Sequence, residues 1–167
     1  RLRAIGILSS RITKWTPFCD KALHRLMCYV NSSVDQTLTG YVGQGDTLED
    51  IALHVYADAD LAGDRPSYKS IAGSFALIAG PNTEFPFAAR SKNIAGTCSS
   101  TPEAEMASAN MAYKAVGAPT LDLLDLICGR KVQMTMFEDN TATIQIIKAG
   151  KNPTMRHLLR HQGINIM

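Results

Sequence analysis

The sequence predicts an α/β fold in which helices cover a mixed sheet, and three observations carry that prediction. Three apolar stretches of strand length, at 51–58, 69–80 and 85–96, are separated by short, turn-rich links. Two helical patterns follow, then a fourth strand-like run at 132–139 and another helical pattern. Upstream of all of these, residues 1–47 read as a separate, short helical segment, which places a domain boundary at 47/48.

In that first segment Leu2, Ile5, Leu8 and Ile12, then Ala22, Leu26 and Tyr29, recur at helical spacing among Lys and Arg, with Pro17 breaking the run. Two amphipathic helices are expected. TLTGYVGQG (37–45) reads as a strand leading into a link, and GDTLED adds turn-forming residues. Beyond the boundary, IALHVYAD, KSIAGSFALIAG and FPFAARSKNIAG are the three strands, punctuated by Gly63, Asp64, Pro66, Gly80, Pro81 and Asn82. Connections this short make an antiparallel meander. SSTPEAEMASANMAYKAV then opens a helix, with Thr101 as cap, Pro102 at the first helical position, and Glu103 and Glu105 suited to the positive end of the dipole. A second helix runs from about Pro119 to Cys128, VQMTMFED is the fourth strand, and NTATIQIIKAG is a helix closed by Gly150.

Composition narrows the function classes. The 167 residues are 46% hydrophobic, enough for a real core, and the net charge of +2 is too small to announce a polyanion-binding protein. The charge is unevenly placed: from Asn140 onward the chain carries Lys148, Lys151, Arg156 and Arg160 and no acidic residue. That tail is either a nucleic-acid contact or a solvated helical face. Cys19, Cys28, Cys98 and Cys128 form no C-x-x-C and do not pair closely with the histidines, which argues against zinc, haem attachment or a disulfide framework. There is no signal-peptide pattern and no run of 18 apolar residues, so a soluble cytoplasmic protein without membrane contact is expected. The start at Arg1 points to a piece of something longer.

The chemistry gathers at element ends. VYADADLAGD (55–64) brings Asp58, Asp60 and Asp64 together after an apolar run, a costly arrangement near a core unless a cation is present. Asp58 closes the first strand, Asp139 closes the fourth, and Glu105 lies in the first turns of the long helix. If strands one and four are neighbours, a helix crossing at their ends joins the three carboxylates. Glu105 rather than Glu103 faces the sheet, because residues two apart on a helix point roughly 200° from each other. Glu105 shares its face with the small residues Ala109 and Ala112, and Glu103 is expected in solvent. Asp60, on the same strand face as Asp58 if the strand continues, either supports the metal ligands or serves in a turn, and the turn is expected. An all-oxygen donor set favours Mg²⁺ or Mn²⁺ over zinc. Aspartates at strand ends also cap turns, and helix N-termini attract glutamate, so spacing alone leaves both readings standing.

YADADLAGD, SSTPEAEMA and FEDNTATI, in that order with strands between them, closely resemble the ribonuclease H domain of copia-type LTR-retrotransposon Pol polyproteins. LSSRITKW and HRLMCYVNSS look like the segment that connects the reverse-transcriptase thumb to ribonuclease H in those polyproteins, so the resemblance spans most of the chain. It implies a ribonuclease H-like fold, truncated at its C-terminus. It implies that Asp58, Glu105 and Asp139 are catalytic metal ligands for two Mg²⁺ or Mn²⁺ ions, held roughly 3.5–4 Å apart and hydrolysing the RNA strand of RNA–DNA hybrids. The partners it implies are the hybrid and the reverse-transcriptase domain of the same polyprotein, within a retrotransposon particle. Lys151, Arg156 and Arg160 would hold phosphates. Family members carry a fourth acidic ligand in a Lys-His-Ile-Asp-Ile run, where this chain has RHQGINIM and places Asn165. A neutral carbonyl and a chain end two residues later imply a weakly held second metal, and hydrolysis that is feeble or favours Mn²⁺. Two alternatives remain: a catalytically degenerate module that keeps the nucleic-acid surface, and a transposase or integrase core. The latter usually ends with a glutamate on a late helix, and no acidic residue follows Asp139.

Overall fold

Alternation along Ala52–Asp64 builds the central strand β1: Leu53, Val55 and Ala57 are buried, while the residues between them are half-buried or exposed. The computed structural model describes residues 1–64, 67–150, 152–155 and 157–164, the side chains of 161 and 162 excepted. The chain divides into two compact units, 1–39 and 40–167.

The first unit holds α1 (Leu2–Ser9) and α2 (Pro17–Ser32), separated at the proline that starts α2. The Arg1 guanidinium donates to the Ser33 carbonyl at 2.9 Å and lies over the Tyr29 ring, tying the two helices together. Leu8 and Cys19 are its buried apolar residues, whereas Ile5, Ile12, Phe18 and Met27 are exposed.

In the second unit β1 pairs antiparallel with β2 (Lys69–Ala79), β2 pairs antiparallel with β3 (Glu84–Asn93), and β4 (Met134–Phe137) runs parallel to β1, giving the order β3-β2-β1-β4. The mixed sheet is the expected one. A parallel partner for β1 requires a crossover, which α3 (Thr101–Ala112) and α4 (Ala118–Cys128) supply. These helices run on through a π-helical turn at Tyr113–Gly117 rather than breaking before Pro119. Proline has no N–H and its ring crowds the carbonyl four residues back, so widening the preceding turn lets the helix continue. The chain then forms α5 (Thr141–Ala149) and the short α6 (Leu158–Gln162).

Residues 103–109 of α3 are all buried. Ala109 and Ala112 join Leu53, Val55, Ala57 and Ala76 in one core cluster; Ala104 and Ala107 join Met155, Leu158 and Ile164 in another. The alanines let α3 sit between the sheet and the chain after α5. No helix among the described residues is long and apolar enough to cross a membrane.

Three local expectations are corrected. Residues 37–45 form no strand; a single bridge, Tyr41 to Glu84, is supplemented by Gly43 N–H donating to Thr83 Oγ1 and by Asp46 accepting from Asn82. Side-chain bonds take the place of a ladder there. The cap of α3 is Ser100, whose Oγ accepts from the Glu103 N–H at 3.4 Å, and not Thr101. β1 runs past Asp58 to Asp64, so Asp60 pairs with Ile71 inside the strand instead of turning. The irregularity falls between Asp60 and Asp64, where Ala62 adopts a left-handed φ of 52°. Entry to β1 is fixed from the far end of the crossover: Arg130 Nη2 donates to the carbonyls of Leu48, Glu49 and Ile51 at 2.7–2.8 Å.

Leu53 is fully buried under α3, so Leu53→Ala should lower unfolding free energy by about 2–5 kcal/mol in urea titrations. The same truncation at exposed Leu126 should change it by less than about 0.5 kcal/mol.

Candidate metal centre

Parallel register brings the two aspartates together. Tyr56 of β1 is the partner of Phe137 of β4, and their rings stack with centroids 4.5 Å apart and planes 9° from parallel. Two residues further along each segment stand Asp58 and Asp139. From the helix, Ser108 Oγ donates to the Asp58 carbonyl at 2.7 Å and to the Gly73 carbonyl at 3.2 Å, which pins α3 to β1 and β2. Glu105, about one turn earlier, is thereby held against β1 beside Asp58 and Ala59.

One carboxylate oxygen from each of Asp58, Glu105 and Asp139 lies within 4.8 Å of the others. Asp58 and Asp139 are exposed, while Glu105 retains 4% of its surface and its Oε2 has no hydrogen-bond partner among the described residues. A buried, unpartnered anionic oxygen is costly, and its pKa reflects that cost. Burial, reinforced by the negative charges of Glu138, Asp58 and Asp139, pushes the Glu105 carboxyl up to about 7, against the opposing N–H of Ala59. The three oxygens together can hold a metal ion.

Sequence reasoning overlooked Glu138. Its Oε1 accepts from the Asn140 N–H at 3.0 Å, its Oε2 is buried without a partner, and burial raises its pKa, with Asp139 and Asp58 adding to the rise. The signal was its place beside Asp139 at the end of an apolar strand. Ser108 was overlooked as well, because a serine within an alanine-rich helix carries no motif. Asn140 caps α5 by accepting from Thr143 N–H at 3.0 Å, and fully buried Thr143 sets α5 against the start of α3.

Glu103 does not face solvent. It is 2% exposed, accepts from Ser99 N–H at 2.8 Å and meets His157 Nε2 at 3.0 Å. Capping its own helix turns the side chain back into the protein. Asp60 stays out of the metal group: its carboxylate lies over Gly63, where a Cβ would come within 2.0 Å of Oδ2. Asp64 is a turn acceptor, taking a hydrogen bond from the Ser67 hydroxyl. Of the basic tail, Lys148 and Arg160 are exposed. Lys151, Arg156 and Asn165 lie outside the described residues.

Comparison with protein-family models, curated proteins and solved structures returned no match. The chemistry of the site therefore rests on its own residues.

Glu105 yields a pH dependence with a definite sign. Unfolded, it ionises near 4.5; folded, at about 7, so between those values the native state holds the extra proton and stability falls as pH rises. In chelator, the wild-type melting temperature should drop between about pH 5 and pH 8 more steeply than that of Glu105→Gln. Parallel curves for the two proteins would contradict the environment assigned to Glu105.

Proposed function

We propose that this chain is a ribonuclease H-like domain which, with Mg²⁺ or Mn²⁺, hydrolyses the RNA strand of RNA–DNA hybrids. The observation that carries the reading is a buried glutamate, Glu105, with one oxygen unpartnered and a carboxylate oxygen within 4.8 Å of oxygens of two exposed aspartates. An all-carboxylate set with one desolvated oxygen fits a hard divalent cation. The sheet order β3-β2-β1-β4 with a helical crossover is compatible with a ribonuclease H-like fold, and the three motif runs supply the resemblance.

A bound divalent pair would supply an activated water and neutralise charge on the leaving oxygen. The protein's own part is positional. Glu105 anchors the site from inside, fixed by the Ser108 clamp. Asp58 and Asp139, both exposed, would hold the same cation from the solvent side. Glu138 adds negative charge behind Glu105 and thereby favours cation over anion at the centre. Partnership with a reverse-transcriptase domain of the same polyprotein, and residence in a retrotransposon particle, belong to the same reading.

The test is cleavage of a labelled RNA–DNA hybrid by the whole chain with Mg²⁺, Mn²⁺ or chelator. Cleavage should need the metal and be stronger with Mn²⁺. Asp58→Asn, Glu105→Gln and Asp139→Asn should each slow it at least about 100-fold, a barrier increase of about 2.7 kcal/mol. Hydrolysis that persists in chelator or in these variants would refute the assignment. A metal-binding chain that never cleaves would favour the degenerate module.

A further inference from the structure

Arg90 and Lys92 lie two apart on β3, opposite Ser74 and Ala72 of β2 in an unbroken stretch of ladder that also contains Ala88. Residues at this spacing share a face, and Ala88 packs against the core cluster beneath the helices. Both cations therefore stand on the helix-bearing side of the sheet, at its outermost strand. Facing them across a groove of about 290 Å³ are Met111 and Ala115, with Lys114 as a third cation; Gly73, Ser74 and Ser108 also line the groove. Among the described residues no acidic one lines it. Among the described residues no carboxylate pairs with Arg90, Lys92 or Lys114.

The groove reaches the backbone of the strand that carries Asp58. Ser108, which lines it, is the residue whose hydroxyl holds the carbonyls of Asp58 and Gly73, and Gly73 is the ladder partner of Asp58. From β1 to β3 is two strand spacings, about 10 Å. Arg90 and Lys92 are separated by a two-residue rise of about 6.6 Å, comparable with the step between successive phosphates along a polynucleotide. Exposed cations spread along a groove suit a continuous polyanion. A small free anion would need donors converging on one point.

We propose that the groove lined by Arg90, Lys92 and Lys114 holds the phosphate backbone of the nucleic-acid strand that reaches the metal centre, an inference that rests on the nuclease reading above. The three cations are scattered in sequence and become a surface only when β3 meets α3 and the π-helical turn that follows it. Contacts of this kind are independent of base sequence and weaken with salt.

The experiment is fluorescence anisotropy of a labelled RNA–DNA hybrid with the whole chain in EDTA, across a salt series. Chelator removes any metal contribution, so a failed nuclease assay and a failed groove give different results. Arg90→Ala/Lys92→Ala/Lys114→Ala should bind at least tenfold more weakly at low salt. It should also flatten the slope of log K against log salt by about 2–3, at about 0.9 per lost phosphate contact. Lys21→Ala/Arg25→Ala on α2 should leave the slope within about 0.5 of wild type. If the triple variant melts early, Arg90→Ala and Lys114→Ala singly carry the test, each with a slope change of about 0.9. An unchanged slope, an equal loss from the α2 variant, or no hybrid binding by the wild type would overturn the proposal. So would a groove variant that loses inorganic phosphate binding but keeps hybrid binding, because the ligand would then be a small anion.

Discussion

Helix α3 takes the Glu105 carboxylate out of water and leaves one of its oxygens without a partner, while Glu138, Asp58 and Asp139 add negative charge around it. Such a group is tolerated when it keeps its proton or when a cation arrives. With a pKa raised to about 7, it stands between those two states near neutral pH. Either event relieves the local instability.

The rest of the second unit can be understood as what holds Glu105 there. Alanines at 104, 107, 109 and 112 let α3 lie close to the sheet on one side and to Met155, Leu158 and Ile164 on the other. Parallel pairing of Tyr56 with Phe137 decides that Asp58 and Asp139 end side by side. A shift of β4 by one residue would turn Asp139 to the other face. Ser108 fastens the helix to the strand carrying Asp58 through backbone carbonyls, and the Ser100–Glu103 cap sets where the helix begins.

The order of strands and helices was legible because it depends on local periodicity, turn residues and proline positions. The triad was legible for a related reason: Asp58 and Asp139 follow apolar strand runs and Glu105 lies near a helix start, and the sheet order then brings them together. Features set by tertiary contact were not. Glu103 turned inward to its cap and to His157, although helical geometry alone sent it outward. Asp60 stayed in a strand that outran its apolar run, settled over a glycine. Glu138 looks like an ordinary strand-end residue until burial and the neighbouring carboxylates are counted. The basic groove needs β3 opposite α3 and the π-helical turn after it, and nothing in the linear order of residues 90, 92 and 114 announces it.

A bound cation would account for the unfavourable place of Glu105. Thermal unfolding at pH 7.5 over a Mn²⁺ titration, comparing wild type with Glu105→Gln, addresses it most directly. Without metal the glutamine variant should melt higher, because it removes charge from a crowded acidic site. With Mn²⁺ the order should reverse, since the wild type gains stability by mass action and the variant gains little. A variant that melts lower than wild type without metal, yet rises equally with Mn²⁺, would contradict the account.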